Sequence, residues 1–459
     1  MALNNRWFLI FATSTLLLCS AMVLPAFAQD FSKNGNHTTK KYSTSATPLP
    51  YNWTVDITYP TDDKGGPFPL IFMFNGMEAS LCIFLDSSRL GSIARLFNRH
   101  GTCCQAAWYT KTVEHVASWG YVIVQYTTGI AYPLQNGEKD EVKVLAPLLE
   151  WLKSDCPIKN KIDFSRKAVM GHSRGGKLAS LHYATRSDVA TAVLIDPVDC
   201  SPQALGPTHP SAIAKLVGLD IDCSRKPIPS HGRSDKSAAV IGSGYRRDGI
   251  ASWLLPSCTP DDNNATAFSA TLSDKSWYIS MVQAGHMQFA ESNGLDAYAA
   301  LNLACGPLAF KISNADVISE ARTMAVAWFE SVFRPGQSTK SGLQAYMQHL
   351  QTQSRKGVLT YRVPGAPPAA PETTAAEAVV SSATGGAERK NPDSIREFMQ
   401  ASTLYSSGRQ ADRADTSTHI IHHQTGALKT SRWGSRRRRI EGRAICRFRE
   451  LALALPWLA

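Results

Sequence analysis

Lys167 to Ala184 reads KAVMGHSRGGKLASLHYA. It enters as a strand over Lys167 to Met170 and leaves as a helix over Gly175 to Ala184, and Gly171-His172-Ser173-Arg174-Gly175 between them fits the pattern G-x-S-x-G. A serine at such a strand-to-helix turn takes a backbone conformation that neighbouring side chains would obstruct, so glycines flank it and its hydroxyl is lifted clear of the sheet. This context makes Ser173 a candidate nucleophile. It also sets the expected architecture, an α/β domain with a mainly parallel central sheet flanked by helices.

The flanking sequence supplies the other elements. Val55 to Tyr59 alternates like a strand and stops at Pro60, and Leu70 to Phe74 is a continuous apolar run, the form of a strand buried on both faces. Thr110 to Trp119 puts Val113, Val116 and Ala117 on one helical face, and Tyr121 to Tyr126 is the next strand. Asp140 to Lys153 carries Val142, Leu145, Leu148, Leu149 and Leu152 at helical spacing. Ala192 to Ile195, Ala238 to Ile241 and Trp277 to Val282 read as strands, and Ile318 to Phe333 as a closing helix stopped by Pro335-Gly336. The catalytic domain is therefore expected over 50–335, after a leader at 1–28 and a linker at 29–49. Residues 336–459 read as a low-complexity, basic, disordered tail.

Composition narrows the function classes. In 459 residues, 44% are hydrophobic and 19% charged, which excludes a collagen-like fibre, wholesale disorder and a polytopic membrane protein. The net charge of +11 would suggest nucleic acid, but residues 1–333 hold 29 basic and 28 acidic groups, so +10 of it lies in the last quarter. That region contains Arg436-Arg437-Arg438-Arg439 and reads as a tail, so no nucleic acid partner is expected; one would need steep salt dependence from residues 429–449.

Arg6, the apolar run from Trp7 to about Leu24 and Ala26-Phe27-Ala28 form the pattern of a cleaved secretory leader. The expected route is entry to the secretory pathway, followed by secretion or, in an alga, delivery to the plastid. Cys82, Cys103, Cys104, Cys156, Cys200, Cys223, Cys258 and Cys305 could form four disulfides. None of the spacings is C-x-x-C, which argues against a zinc site, and no metal or cofactor is expected. Asn36, Asn52 and Asn264 begin glycosylation sequons.

A serine hydroxyl needs a base and a group that orients the base, in the chain order serine, acid, histidine for this turn type. Asp196 ends the strand after the elbow helix, in Ile195-Asp196-Pro197-Val198-Asp199, and is the first choice of acid. Asp199 is the alternative, with Asp235 and Asp248 further options. His286, in Gln283-Ala284-Gly285-His286-Met287, follows the last central strand and precedes the closing helix, unlike His172, His209 and His231. Backbone N–H groups of Arg174 and Met77 are the expected oxyanion donors. Met73, Met77, Met287 and Phe289 are candidates for an apolar pocket, with core packing the competing reading of each.

Gly171-His172-Ser173-Arg174-Gly175-Gly176-Lys177 resembles the chlorophyllase signature, in which arginine follows the nucleophile. Asp196-Pro197-Val198-Asp199, Ile241-Gly242-Ser243-Gly244, Pro256-Ser257-Cys258-Thr259-Pro260 and Gly285-His286-Met287 agree in order. The resemblance covers roughly residues 50 to 335. It implies an α/β-hydrolase fold and a lipophilic ester substrate, the phytyl ester of chlorophyll, cleaved to chlorophyllide and phytol by Ser173, His286 and Asp196 or Asp199. Such a substrate allows association with a lipid surface; the magnesium belongs to the pigment. Where plant chlorophyllases tend to have His-Gly in the oxyanion loop, this chain has Asn75-Gly76. The runner-up is a secreted lipase, cutinase, polyester hydrolase or platelet-activating-factor-acetylhydrolase-like esterase. A third reading is a non-catalytic binding protein on the same fold.

Overall fold

The computed structural model describes residues 29–49, 53–76, 106–128, 132–201, 205–224, 232–245, 259, 262–291 and 312–368. The chain divides into two units, 1–375 and 376–459, and every described residue belongs to the first. The leader, Met77, Asn52, Asp248, His231, the cysteines at 82, 103, 104, 258 and 305, and the tail from 369 onward lie outside the described residues.

Among the described residues nine strands form one sheet: β1 Thr39–Thr44, β2 Thr54–Pro60, β3 Phe68–Phe74, β4 Val122–Thr127, β5 Ile162–His172, β6 Thr191–Ile195, β7 Ala238–Ser243, β8 Trp277–Met281 and β9 Leu359–Arg362. Their order is β1-β2-β4-β3-β5-β6-β7-β8-β9. The run from β4 to β8 is parallel, with β1 and β2 antiparallel at one edge and β9 antiparallel at the other. This is the mainly parallel sheet the sequence implies.

The apolar runs divide by residue parity, because successive side chains of a strand point to opposite faces. In β3, Ile71 and Met73 join one core cluster while Leu70, Phe72 and Phe74 join the other. In β6, Val193 and Ile195 face the first cluster, Ala192 and Leu194 the second.

Helices cover both faces. Residues of α1 (Thr110–Ser118) contribute to the first cluster. Next come α2 (Tyr132–Glu141), α3 (Leu145–Ser154) and α4 (Arg174–Thr185), the last two contributing to the second cluster. They are followed by α5 (Ala212–Leu216), α6 (Ala265–Thr271), α7 (Asn314–Phe333) and α8 (Gln337–Arg355). The expected single helix over 140–153 is instead the end of α2, a 3₁₀ turn at Val142–Val144 and α3. Pro147 accounts for the restart: it has no N–H to continue a helix from 140 and is tolerated only in a first turn, which is where α3 places it.

Three elements lie beyond the domain expected from sequence. Strand β1 lies within the supposed linker 29–49, and α8 and β9 lie within the supposed tail. Pro335-Gly336 does end α7, but the chain turns back rather than leaving the fold. Leu343, Tyr346, Met347 and Leu350 recur at helical spacing on α8 and pack on the first core cluster. Gly342 passes so close to Phe31 that a Cβ there would lie 2.7 Å from its ring. Strand β9 then pairs with β8, covering an edge that would otherwise be open.

Cys200 and Cys223 form a disulfide, and Cys156 is free and buried. The sequons differ in setting. Asn36 is exposed, whereas Asn264 is buried and caps α6, its Oδ1 accepting from Thr266 N–H at 3.0 Å. Among the described residues no helix is long and apolar enough to cross a membrane.

Cutting the chain at residue 340 removes the buried side chains Tyr346, Leu350, Leu359 and Tyr361. A fragment of residues 29–340 should therefore melt at least about 10 °C below residues 29–368, or fail to fold, since each such side chain contributes about 1.5–3 kcal/mol. Circular-dichroism melts of the two fragments test this, and equal midpoints would refute the assignment of α8 and β9 to the domain.

Candidate active site

Ser173 sits between the last residue of β5 and the first of α4 with φ 58° and ψ −125°. Such a conformation costs about 1–3 kcal/mol for a non-glycine residue and persists only where the surroundings over-determine it. Here Ser173 N–H donates to Ile195 O at 3.0 Å, and Ser173 O accepts from Gly176, Lys177 and Val198 N–H at 2.9, 3.2 and 3.2 Å. The flanking glycines permit close approach: a Cβ at Gly171 would lie 2.2 Å from Gly175 O, and one at Gly175 would lie 2.1 Å from Phe74 O.

Three expected residues come together. Ser173 Oγ is 2.8 Å from His286 Nε2, and His286 Nδ1 is 2.7 Å from Asp196 Oδ2. All three are buried. If the hydroxyl donates to Nε2, the imidazole proton sits on Nδ1, facing the carboxylate. Ser243 supplies the remaining donors to Asp196: its Oγ to Oδ2 at 2.7 Å and its N–H to Oδ1 at 3.0 Å. Asp196 itself is held at φ 39°, with its N–H on Ile241 O at 2.6 Å.

Asp199, the alternative acid, points elsewhere. It accepts from Ser211 Oγ at 2.6 Å and from the N–H groups of Ala212 and Ile213 at 3.1 and 3.2 Å, and it lies 3.5 Å from Lys177 Nζ. It binds the first turn of α5 and pairs with Lys177 of α4. Asp235 is exposed, three residues before β7 begins.

Of the expected oxyanion donors, Arg174 opens α4, so its N–H belongs to the first turn, which a helix cannot satisfy internally. Met77 lies outside the described residues, but the two residues before it are anchored. Asn75 Nδ2 donates to Tyr126 O at 2.8 Å, Gln125 Nε2 donates to Asn75 Oδ1 at 3.0 Å, and Gly76 N–H donates to Tyr109 Oη at 3.1 Å. Of the apolar pocket candidates, Met73, Met287 and Phe289 are buried in the first core cluster.

Sequence reasoning missed the surroundings of the Arg174 side chain. Its guanidinium bonds Glu138 at 3.0 Å and Glu141; Glu138 also meets Lys177 Nζ at 3.2 Å and His209 Nδ1 at 2.6 Å, and Tyr126 Oη donates to Glu141 at 3.0 Å. Nothing local in the run Gly137-Glu138-Lys139-Asp140-Glu141 marks it as a buried ion-pair site; its cationic neighbours from α4 do. Ser243 was visible in Ile241-Gly242-Ser243-Gly244 but had no assigned role. The grouping Asp199, Cys200 and Cys223 resembles a metal-ligand set by distance, but its two sulfurs are joined in the disulfide.

Burial alone would raise the Glu138 carboxyl, yet Lys177, His209 and Arg174 outweigh it and hold it far below its ordinary 4.5. Burial likewise opposes ionisation of Asp196, and His286 with the Ser243 donors outweighs it, holding the group below 3.8. Because both folded-state values are depressed, the unfolded chain takes up protons first as pH falls. The stability these groups supply is present above about pH 4.5 and is lost below it. The melting temperature should therefore fall as pH drops from about 5 to 3, with Glu138→Gln lowering it at neutral pH and flattening the acid slope. Thermal melts across that range check this; an unchanged acid slope in the variant would remove Glu138 as the cause.

Comparison with protein families matches Chlorophyllase over residues 75–307. Chlorophyllase-2 of Arabidopsis thaliana is 26% identical over 205 residues, covering 42% of this chain and 59% of that protein. Chlorophyllase-1, chloroplastic, of Citrus sinensis is 28% identical over 201 residues, covering 43% and 55%. Cutinase est1 of Thermobifida alba is 28% identical over 148 residues, covering 32% and 47%. The chain thus spans 55 to 60% of the length of these chlorophyllases and of a third, from Citrus unshiu. With a mainly parallel sheet between two helical layers and a family match that runs from the Asn75 loop past His286, this chain is an α/β-hydrolase-fold member of the chlorophyllase family.

Proposed function

We propose that this protein is a serine carboxylic ester hydrolase that cleaves the phytyl ester of chlorophyll to chlorophyllide and phytol through an acyl-enzyme. The observation that carries the reading is the hydrogen-bonded series Ser173, His286, Asp196 at 2.8 and 2.7 Å. In this mechanism His286 Nε2 takes the Ser173 proton as Oγ attacks the ester carbonyl, and Asp196 stabilises the imidazolium that forms. The N–H groups of Arg174 and Met77 receive the developing oxyanion. Collapse expels the alcohol, which takes its proton from His286. Water activated by the same nitrogen then attacks the acyl-enzyme, releasing the carboxylate and restoring Ser173. The chlorophyllase relatives support the pigment ester as substrate, and such a substrate brings the enzyme to a lipid surface. The cutinase match supports the second reading, an esterase of other lipophilic esters.

Residues 29–459 incubated with chlorophyll a and, in parallel, with a short-chain p-nitrophenyl ester separate the two. Release of chlorophyllide is expected, and Ser173→Ala should lower turnover by at least about 10³-fold while the fold is kept. Cleavage of the short ester with chlorophyll untouched would select the second reading, and silence on both would favour a binding protein on this fold.

We further propose entry to the secretory route, on the strength of the leader pattern at residues 1–28 and the exposure of the Asn36 sequon. The full chain made in a eukaryotic host should be exported with a glycosidase-sensitive glycan on Asn36 and none on buried Asn264, as peptide mass spectrometry would read. Retention in the cytosol without a glycan would reject the route.

A further inference from the structure

The residue before the proposed nucleophile is itself a histidine, and the proposed reaction does not use it. His172 is fully buried at the end of β5. Its Nδ1 lies 2.8 Å from Tyr109 Oη and its Nε2 lies 3.0 Å from the main-chain oxygen of His286. Tyr109, also buried, sits on the short 3₁₀ turn Ala106–Tyr109 that leads into α1, and its Oη receives Gly76 N–H at 3.1 Å. A continuous line of hydrogen bonds therefore joins Gly76, the residue before Met77, to the backbone of His286.

The hydrogens along this line follow by elimination. The carbonyl oxygen of His286 can only accept, so His172 Nε2 carries a proton. Burial, with the neighbouring His286 adding to it, pushes His172 down to about 3, so the ring is neutral and has no second proton. Nδ1 must then accept, which makes Tyr109 the donor and leaves the phenol oxygen to receive Gly76 N–H. In this arrangement each donor of the line meets an acceptor, so no buried polar group along it is left unsatisfied.

We infer that Tyr109 and His172 are positioning residues, a buried strut that holds the Gly76 loop and the His286 main chain at a set separation, so that oxyanion donor and base are placed together. Both side chains are buried, and each acts through a backbone group, Gly76 N–H or His286 O. The inference rests on the proposed roles of Ser173, His286 and Met77. A displacement of about 1 Å in such a site can cost about 10²-fold in rate. Simple core packing would make a different forecast: removing only the phenol oxygen leaves the ring in place and should cost stability, not turnover.

The test uses residues 29–459 with whichever of chlorophyll a or the p-nitrophenyl ester the wild type turns over, measuring kcat, KM and melting temperature. Tyr109→Phe and His172→Leu should each lower kcat about 10- to 100-fold with KM within about twofold of the wild type. His172→Gln, which offers both a donor and an acceptor, should recover much of the loss. The Tyr109→Phe/His172→Leu double variant should be little worse than His172→Leu, because the two residues act as one unit. Wild-type kcat in folded Tyr109→Phe and His172→Leu, with Ser173→Ala inactive, would overturn the strut alone. Losses in kcat that add in the double variant and track the melting temperature would also overturn it. Turnover surviving in Ser173→Ala would overturn the nucleophile and the strut with it. If His172→Leu does not fold, Tyr109→Phe decides, since it leaves the ring packing unchanged.

Discussion

The strained turn at Ser173 is the constraint on which the rest of this structure depends. A residue at φ 58° is stable only if its peptide groups have fixed partners, and those partners come from three different elements: Ile195 on β6, Gly176 and Lys177 on α4, and Val198 in the loop after β6. The bonds that offset the strain therefore also bring Asp196, which follows Ile195, to the same sheet edge as the serine. Glycines at 171 and 175 let α4 lie against the ends of β3 and β5, and Gly176 lets it lie against Pro197. A bulkier residue at 176 would push the elbow helix off the acid loop, and one at 171 or 175 would push it off the strand ends.

Two kinds of buried electrostatics surround that turn, and they differ in what compensates desolvation. Around the Arg174 side chain the carboxylates of Glu138 and Glu141 meet the Arg174 and Lys177 side chains, and the cations hold Glu138 ionised in the interior. Against an apolar replacement such clusters gain little, because desolvating the ions offsets much of their attraction, but removing one partner is costly and their geometry is exacting. This one fastens α2 to the elbow helix. His172, on the other side of Ser173 in sequence, bonds a phenol and a main-chain oxygen among the described residues and is kept neutral by burial. Charge is thus retained beside α4, where cation and anion pair, and removed on the side where a neutral ring must be both donor and acceptor.

Much of the fold was legible because apolar periodicity is a local property. The runs at 70–74, 192–195 and 238–241 are strands buried on both faces, and their lengths and alternation need no knowledge of what covers them. The misses share a cause. Strand β1 is largely polar and half-exposed, and α8 carries its apolar stripe in a glutamine-rich segment, so neither stands out by composition. Both are secured by long-range contacts, β1 by pairing with β2 and α8 by packing on the first core cluster.

From sequence alone Ser173, His286 and the acids Asp196 and Asp199 stand out as candidates, because a nucleophile elbow has a local glycine pattern and its partners follow in a set order at strand ends. Sequence ranked Asp196, at the strand end, ahead of Asp199, three residues on in the same loop, but carried no record of where either carboxylate points. Tertiary structure separates the two: Asp196 is turned by its own positive φ toward Ser243 and His286, while Asp199 is drawn to Lys177 and the first turn of α5. It alone brought Glu138 to Arg174 and Tyr109 to His172, across 36 and 63 residues of chain. Proximity between side chains that far apart is set by how strands and helices stack, and a linear pattern carries no record of it.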